Sequence, residues 1–451
     1  MRIVVIGDGK VGRTIVSHLA SEGHTVVVID KNPDVIEQIV EQYDVMGICG
    51  NGAIYDIQKS AKVDKADLVI AATSSDEINV LSCVIAKQLG AKATVARVRS
   101  YEYDEQVYAM TKYLGLNMTI NPEREAANEI MNIINFPQAI RVDMFCQGRA
   151  EIVEMYIPEN SPLVGQSLSA IHTKYQIPML VCAVQRGEEV YIPDGNFVLQ
   201  AKDKIHITAR RAEIKDFLTR LGLMQNKIKD VMIIGGGKVS VYLAKRLLKS
   251  KYNVKIIEKD YDKCVALSNL LPTAKIIHGD GSDQELLLDE GITNIGAIVS
   301  LTNLDEENII ISMYANKQKA NKIIAKINKS SLIGLLETLD MASIVSPKEV
   351  TASSILSYVR AMNNSRGSHV ETLYKLVNNE VEAVEFNVKE NSKAVNVCLK
   401  DLKLKKNILI ALIIRDDRVI VPGGNDQILL HDKVIVISKN HYLDDLKDIL
   451  V

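Results

Sequence analysis

Gly7-Asp8-Gly9-Lys10-Val11-Gly12 follows the apolar run Ile3-Val4-Val5-Ile6, and its GxGxxG spacing is that of a strand-to-helix turn able to cradle a pyrophosphate. The first glycine makes the tight turn, the second lets the backbone approach a phosphate, and the third permits close helix–strand packing. Phosphate oxygens then meet free N–H groups at a helix N-terminus, where the macrodipole also favours anions. Asp30 ends the next apolar run, where its carboxylate can accept from ribose hydroxyls; the plainer alternative is a solvated residue ending a strand. A carboxylate there repels a 2′-phosphate, so NAD(H), ATP or ADP is expected rather than NADP(H).

A second loop, Gly235-Gly236-Gly237-Lys238-Val239-Ser240, stands after Val231-Met232-Ile233-Ile234 and is followed by Glu258. Ser240 replaces the third glycine and Glu258 is longer than Asp30, so the two sites are expected to differ in affinity. Asn51-Gly52 and Asp280-Gly281 follow the third strand of each copy, near where an adenine would lie. Thr73-Ser74 and Thr302-Asn303 follow the fourth, with two readings: contacts to ribose or phosphate, or caps of the helices starting near Asp76 and Asp305. Arg97 and Lys326 end the fifth strands; each is either a cation for phosphate or half of a surface ion pair.

The elements that position these residues occur twice. Thr73-Ser74-Ser75-Asp76-Glu77 returns as Thr302-Asn303-Leu304-Asp305-Glu306, Val95–Val98 as Ile324–Ile327, and Pro193-Asp194-Gly195-Asn196 as Pro422-Gly423-Gly424-Asn425. A repeat this long is a duplicated pair of domains rather than a solenoid. Strands are predicted at Ile3–Ile6, Thr25–Ile29, Val45–Cys49, Leu68–Ala72, Thr94–Val98 and Met118–Ile120, alternating with helices, which implies a parallel doubly wound sheet. Asn32-Pro33 is a helix start and Gly23 a helix stop. Helical segments Glu123–Asn135 and Lys348–Met362 follow each sheet, the first with an apolar stripe at Ala126, Ile130 and Ile134 that serves either its own domain or a partner. Stretches 141–224 and 369–451 have another texture, with a hairpin Met179–Gln185/Val190–Pro193 around Gly187, a strand Lys204–Thr208 and a helix Glu213–Leu221. The fold class is therefore α/β, with two Rossmann-like doubly wound parallel sheets, each followed by a small α+β module. Boundaries are expected at 1–138, 139–225, 226–362 and 363–451.

The 451 residues suit three or four domains of about 100–200 residues. The apolar run Ile408–Ile414 is far short of the ~18–20 residues a membrane span needs, and no signal peptide is expected. The six cysteines have no CxxC or Cys/His ligand spacing, so neither a metal nor a disulfide framework is expected. With 54 Lys and Arg against 56 Asp and Glu and no basic stripe, nucleic acid is not an expected partner. The histidines have no repeated placement beside the glycine loops, and Tyr108-x-x-x-Lys112 is a coincidental likeness to a dehydrogenase pair, so no catalytic residues and no enzyme activity are expected. An NAD-dependent oxidoreductase is the competing class, and a nucleotide sensor for another transporter or antiporter a third.

Gly7–Gly12 with Asp30, the Gly50-Asn51-Gly52 and Gly279-Asp280-Gly281 turns, Thr73–Asn79 and Ala96-Arg97-Val98 resemble RCK-N domains, the regulators of potassium conductance. The later modules, with Ser161–Gly165 and Asp203–Ile207, resemble RCK-C domains. The N–C–N–C order is similar to tandem RCK regulators of Trk-type potassium uptake. That resemblance implies a cytoplasmic regulatory subunit, peripheral on the cell membrane and docked under a TrkH- or TrkG-type transporter subunit. It also implies a homo-oligomer, with four chains supplying the eight RCK units of a gating ring and the two crossover helices as candidate interfaces.

Overall fold

Strands of this chain are nearly continuous apolar runs because a parallel sheet is covered on both faces; Ile3, Val4, Val5 and Ile6 are all 0–1% exposed. The computed structural model describes residues 1–100, 103, 106–107, 109, 111, 113–136, 139–145, 150–222, 228–329, 331–333, 342–364, 370–377, 380–388, 392–416, 418–439, 443 and 445–451. Cys146 and the Tyr108/Lys112 pair lie outside the described residues.

The first sheet contains β1 (Arg2–Ile6), β2 (Thr25–Asp30), β3 (Met46–Cys49), β4 (Leu68–Ala71), β5 (Ala93–Arg97) and β6 (Met118–Ile120), all parallel in the order β3-β2-β1-β4-β5-β6. Strand order reverses between β1 and β4, which creates a switch point at their carboxyl ends. A second sheet is antiparallel, with β7 (Ala139–Phe145), β8 (Ala150–Tyr156), β9 (Leu180–Arg186), β10 (Glu189–Tyr191) and β11 (Lys204–Ala209) in the order β10-β9-β11-β8-β7. The third repeats the first with β12 (Asp230–Ile234), β13 (Asn253–Glu258), β14 (Lys275–His278), β15 (Ala297–Ser300), β16 (Ile323–Lys326) and β17 (Ser343–Val345), ordered β14-β13-β12-β15-β16-β17. The fourth repeats the second with β18 (Val370–Leu376), β19 (Val381–Asn387), β20 (Ile408–Arg415), β21 (Arg418–Ile420) and β22 (Lys433–Lys439), ordered β18-β19-β22-β20-β21.

Local signals act as read. Asn32 accepts from the Asp34 N–H at 3.0 Å with Pro33 opening the helix Pro33–Gln42, and Gly23 sits at φ +75° just past the helix Lys10–Ser21. Several boundaries shift by a residue or two; the helix expected from Glu213 starts at Arg211, because Glu213 is its third residue and its Oε2 accepts from the Arg210 N–H at 3.1 Å. No helix among the described residues is long and apolar enough to cross a membrane.

The chain forms two compact units, one of residues 1–131 with 229–359 and one of 132–228 with 360–451. In the first unit the two Rossmann sheets belong together: the Asn121 side-chain amide donates to the Tyr242 hydroxyl at 2.8 Å, and His18 meets Glu349 at 3.3 Å. The stripe Ala126, Ile130 and Ile134 on the helix Pro122–Asn135 is 0–1% exposed and so is already buried within the chain.

In the second unit the two antiparallel sheets share one apolar cluster, in which Ile152, Cys182 and Val190 pack with Val381, Leu412 and Ile437. Each sheet also covers a core of its own with its other face. Both modules carry the same latch onto a buried carboxylate. Arg186 grips Asp203 with two bonds of 2.8 Å, and Arg415 grips Asp432 at 2.9 and 2.8 Å, each carboxylate also taking a backbone N–H, from Gln200 and from Leu429.

Candidate functional site

The crevice at the carboxyl ends of β1, β2 and β4 is built from backbone constraint. Gly7 adopts φ +94°, a left-handed value that favours glycine. A Cβ on Gly12 would lie 1.9 Å from the Gly7 carbonyl oxygen, whereas one on Gly9 would meet nothing within 4 Å. The third glycine is thus fixed by packing, and the second leaves open space over the start of the helix Lys10–Ser21. That start has no side-chain cap, so its first N–H groups face the opening, with Val11 buried beneath and Lys10 exposed.

Asp30 closes the loop from the β2 side. Its Oδ2 accepts from the Asp8 N–H at 2.8 Å and its Oδ1 from the Asn32 N–H at 2.9 Å. The Asp8 side chain is buried and held by Arg13, with Nε at 3.0 Å and Nη2 at 2.8 Å. Burial pushes the Asp8 carboxyl above the ordinary carboxylate range, and the Arg13 guanidinium opposes that shift.

The second loop reproduces the first with different chemistry. Gly235 is at φ +95°, and Glu258 takes the role of Asp30, accepting from Gly236 N–H at 2.6 Å and Asp260 N–H at 3.0 Å. Its extra methylene is absorbed because Gly236 replaces Asp8 and leaves room. Ser240 turns the close approach that Gly12 avoids into a hydrogen bond, its hydroxyl donating to the Gly235 carbonyl. Gly237 is as open as Gly9, and the helix Lys238–Lys249 likewise lacks a side-chain cap, with Val239 buried in its first turn.

Gly52 and Gly281 lie against the last isoleucines of β1 and β12: a Cβ on either would be 2.1 Å from Ile6 Cγ2 or Ile234 Cγ2. Asn51 and Asp280 order these turns, accepting from Ala53 N–H at 3.0 Å and Ser282 N–H at 2.9 Å. The Ser282 backbone N–H is the main cause holding the Asp280 carboxyl below its usual range.

The threonines cap nothing. Ser75 caps the helix Asp76–Leu89, Leu304 stands at the corresponding start of Asp305–Lys317 with no side-chain cap, and Ser74 is exposed. Thr73 instead donates its hydroxyl to Asn79 Oδ1 at 2.7 Å, and Thr302 to Asn308 Oδ1 at 2.9 Å.

Asn79 and Asn308 are fully buried and organise this end of each crevice, although sequence reasoning passed over them. Asn79 also accepts from the Thr73 N–H and donates to the Arg97 carbonyl at 2.9 Å; Asn308 accepts from the Thr302 N–H and donates to the Lys326 carbonyl at 2.8 Å. Their recurrence at matching places in the two copies was the available signal. Asp76 and Asp305 similarly hold the chain after β5 and β16, accepting from the N–H groups of Arg99 and Ser100, and of Asn328 and Lys329, at 2.6–2.9 Å.

Arg97 and Lys326 are not surface ion pairs. They are 8% and 9% exposed; Arg97 donates to the Thr73 carbonyl and Lys326 to the Leu301 carbonyl at 3.3 Å. Burial is the main cause lowering the pKa of each cation. Taken together, each sheet gathers a glycine loop, an uncapped helix start, a strand-end carboxylate and a buried cation at one switch point. Open space over Gly9 and Gly237, with an acid on β2 or β13, fits an adenine dinucleotide or nucleotide.

Residues 3–122 and 231–347 match the TrkA-N domain, and residues 152–222 and 383–451 match the TrkA-C domain. Along its whole length the chain is 31% identical over 449 residues to a Trk system potassium uptake protein TrkA homolog of Archaeoglobus fulgidus, with 100% of both chains covered. It is 30% identical over 454 residues to the Trk system potassium uptake protein TrkA of Vibrio alginolyticus, covering 99% of this chain and 98% of that one. Among solved structures, the GsuK channel bound to NAD shares the fold at a TM-score of 0.64 and 17% identity, covering 97% of this chain and 77% of that one.

Proposed function

The chain belongs to the TrkA family, and on that footing we propose that it is the nucleotide-binding regulatory subunit of a Trk-type potassium uptake system. The observation that carries this is the pair of glycine loops, each closed on a strand-end acid at a topological switch point, within a full-length match to TrkA proteins. NAD(H) is the expected ligand, with ATP or ADP as competitors; the NAD-bound GsuK channel of like fold supports the choice.

In the first cleft the phosphates rest on the N–H groups of Gly9, Lys10, Val11 and Gly12, the ribose on Asp30, the adenine near Asn51 and Gly52, and the far half over Thr73, Ser74 and Arg97. The second cleft uses Gly237, Lys238, Val239, Glu258, Asp280, Gly281, Thr302 and Lys326 in the same places. When bound, the nucleotide acts as a signal: it shifts the equilibrium between two shapes of the regulator only by its differential affinity for them. About tenfold per site is roughly 1.4 kcal/mol of coupling.

The four modules at 1–138, 139–225, 226–362 and 363–451, the tetrameric ring of eight RCK units, the cytoplasmic face of the membrane, the absence of turnover and the TrkH- or TrkG-type partner all belong to this proposal. It is tested by reconstituting the purified chain with such a membrane subunit in liposomes and following rubidium uptake with NADH, NAD⁺, ATP or ADP. A nucleotide-dependent change in flux that disappears in Asp30→Ala is expected. Flux indifferent to the chain with every nucleotide would refute it.

A further inference from the structure

The register that pairs Asp30 with Cys49 in the first sheet pairs Glu258 with His278 in the third. The same corner of the fold thus sets a strand-end acid beside a thiol in one copy and beside an imidazole in the other. The helix after the acid differs as well, since Pro33 opens Pro33–Gln42 and Tyr261 opens Tyr261–Leu270. At these two places the second copy carries aromatic rings and the first carries none.

Both rings stand at the carboxyl ends of β13 and β14. His278 is the last residue of β14, and its Nε2 donates to the Lys259 carbonyl at 3.1 Å, which draws the imidazole onto the loop between β13 and the helix Tyr261–Leu270. The Tyr261 ring meets that imidazole nearly at right angles, 78°, with the centroids 5.5 Å apart. The same loop is tied to the glycine turn, because Glu258 accepts from both the Asp260 and the Gly236 N–H groups. Asp280-Gly281, the turn on the adenine side, lies two residues beyond His278.

Despite its contact with His278, Tyr261 is 65% exposed. A ring left so open gains when a flat group covers it, and nucleotide bases are flat, polarisable and rich in π-density. We propose that Tyr261 is the base-binding residue of the second cleft: with the ribose on Glu258, the base stacks on the tyrosine ring. The first cleft, with Pro33 and Cys49 in the corresponding places, holds its base without this contact. The inference rests on the second cleft being a nucleotide site. Because the contact is made at the base end, ADP is enough to report it, whatever the ligand carries beyond its second phosphate.

The test is calorimetric titration of the full chain with ADP, in an Asp30→Ala background to read the second cleft and a Glu258→Ala background to read the first. At the second cleft Tyr261→Ala weakens ADP about 5–150-fold, the range for removing the stacking partner of one base. Tyr261→Phe, which keeps the ring and loses the hydroxyl, binds as its parent does. At the first cleft both substitutions leave the affinity unchanged, and loss of so exposed a side chain leaves the fold standing. Binding indifferent to Tyr261→Ala, an equal loss with Tyr261→Phe, a matching loss at the first cleft, or a second cleft that takes no ADP each overturns this inference and leaves the nucleotide reading standing. A chain that takes neither ADP nor NADH at either cleft overturns both.

Discussion

Gly9→Ala should separate binding from folding. The residue has φ −72° and ψ −175°, ordinary extended backbone, and a Cβ there meets nothing within 4 Å. Folding is then helped rather than hurt, by about 0.4–1 kcal/mol from the stiffer unfolded chain. The new methyl stands where a pyrophosphate must approach, and forcing a methylene-sized group into a packed contact costs about 1–3 kcal/mol, or about 5–150-fold in affinity. Gly12→Ala is the opposite control, because its Cβ would lie 1.9 Å from the Gly7 carbonyl oxygen. Overpacking of about 1–3 kcal/mol should lower Tm by roughly 2–12 °C, taking ~2–4 °C per kcal/mol. Thermal unfolding with and without NADH, joined to direct titration, reads both variants. Should Gly9→Ala bind NADH as tightly as wild type, phosphates do not lie on this loop; should Gly12→Ala unfold at the wild-type temperature, the close approach is not what selects glycine.

Asn79→Ala and Asn308→Ala each leave buried backbone groups unpaired and should cost about 2–4 kcal/mol; chemical denaturation showing less than 0.5 kcal/mol, roughly the spread of neutral surface changes, would refute that. Breaking either module latch with Asp203→Asn or Asp432→Asn should cost about 1.5–3 kcal/mol, the worth of hydrogen bonds to a buried carboxylate from an arginine that is itself about a third open to solvent; markedly unequal losses would contradict the repeated geometry. Glu290 is held below its usual pKa chiefly by the Lys275 ammonium, with Lys255 helping. A folded-state pKa below the unfolded value gives stability that is present above the unfolded pKa and lost as pH falls through the folded one. Glu290→Gln should therefore destabilise at neutral pH and become indistinguishable from wild type at low acid pH; a loss that persists there would show that packing, not charge, is at work.

The Rossmann sheets were legible because burial on both faces writes an unbroken apolar run, as at Ile3–Ile6 and Val231–Ile234. The glycine loops and their acids were legible because their constraint is local. Buried Asn79 and Asn308 were not, since asparagine is usually a surface or turn residue and only tertiary contacts mark it as a hub. The sequence leaves Arg97 and Lys326 between a cation for phosphate and half of a surface ion pair, and only tertiary contacts show that both are buried. The Asn121–Tyr242 bond was out of reach because it joins residues more than a hundred positions apart. The shared core of the two small modules did leave a trace in β8 and β9, where Ala150, Ile152 and Cys182 on one face and Val153, Met155 and Val181 on the other are all apolar. A sheet dry on both sides needs two covers, and one came from the distant half of the chain.

That shared core has an evolutionary edge. When two equal sheets associate as separate copies of one gene product, every substitution enters the contact twice and dilution can part the pair. Here the partners are spelled out once each in a single polypeptide, so the contact survives dilution. A change such as Glu for Asp, or Ser for Gly, can also be tried on one side while the other keeps its original part.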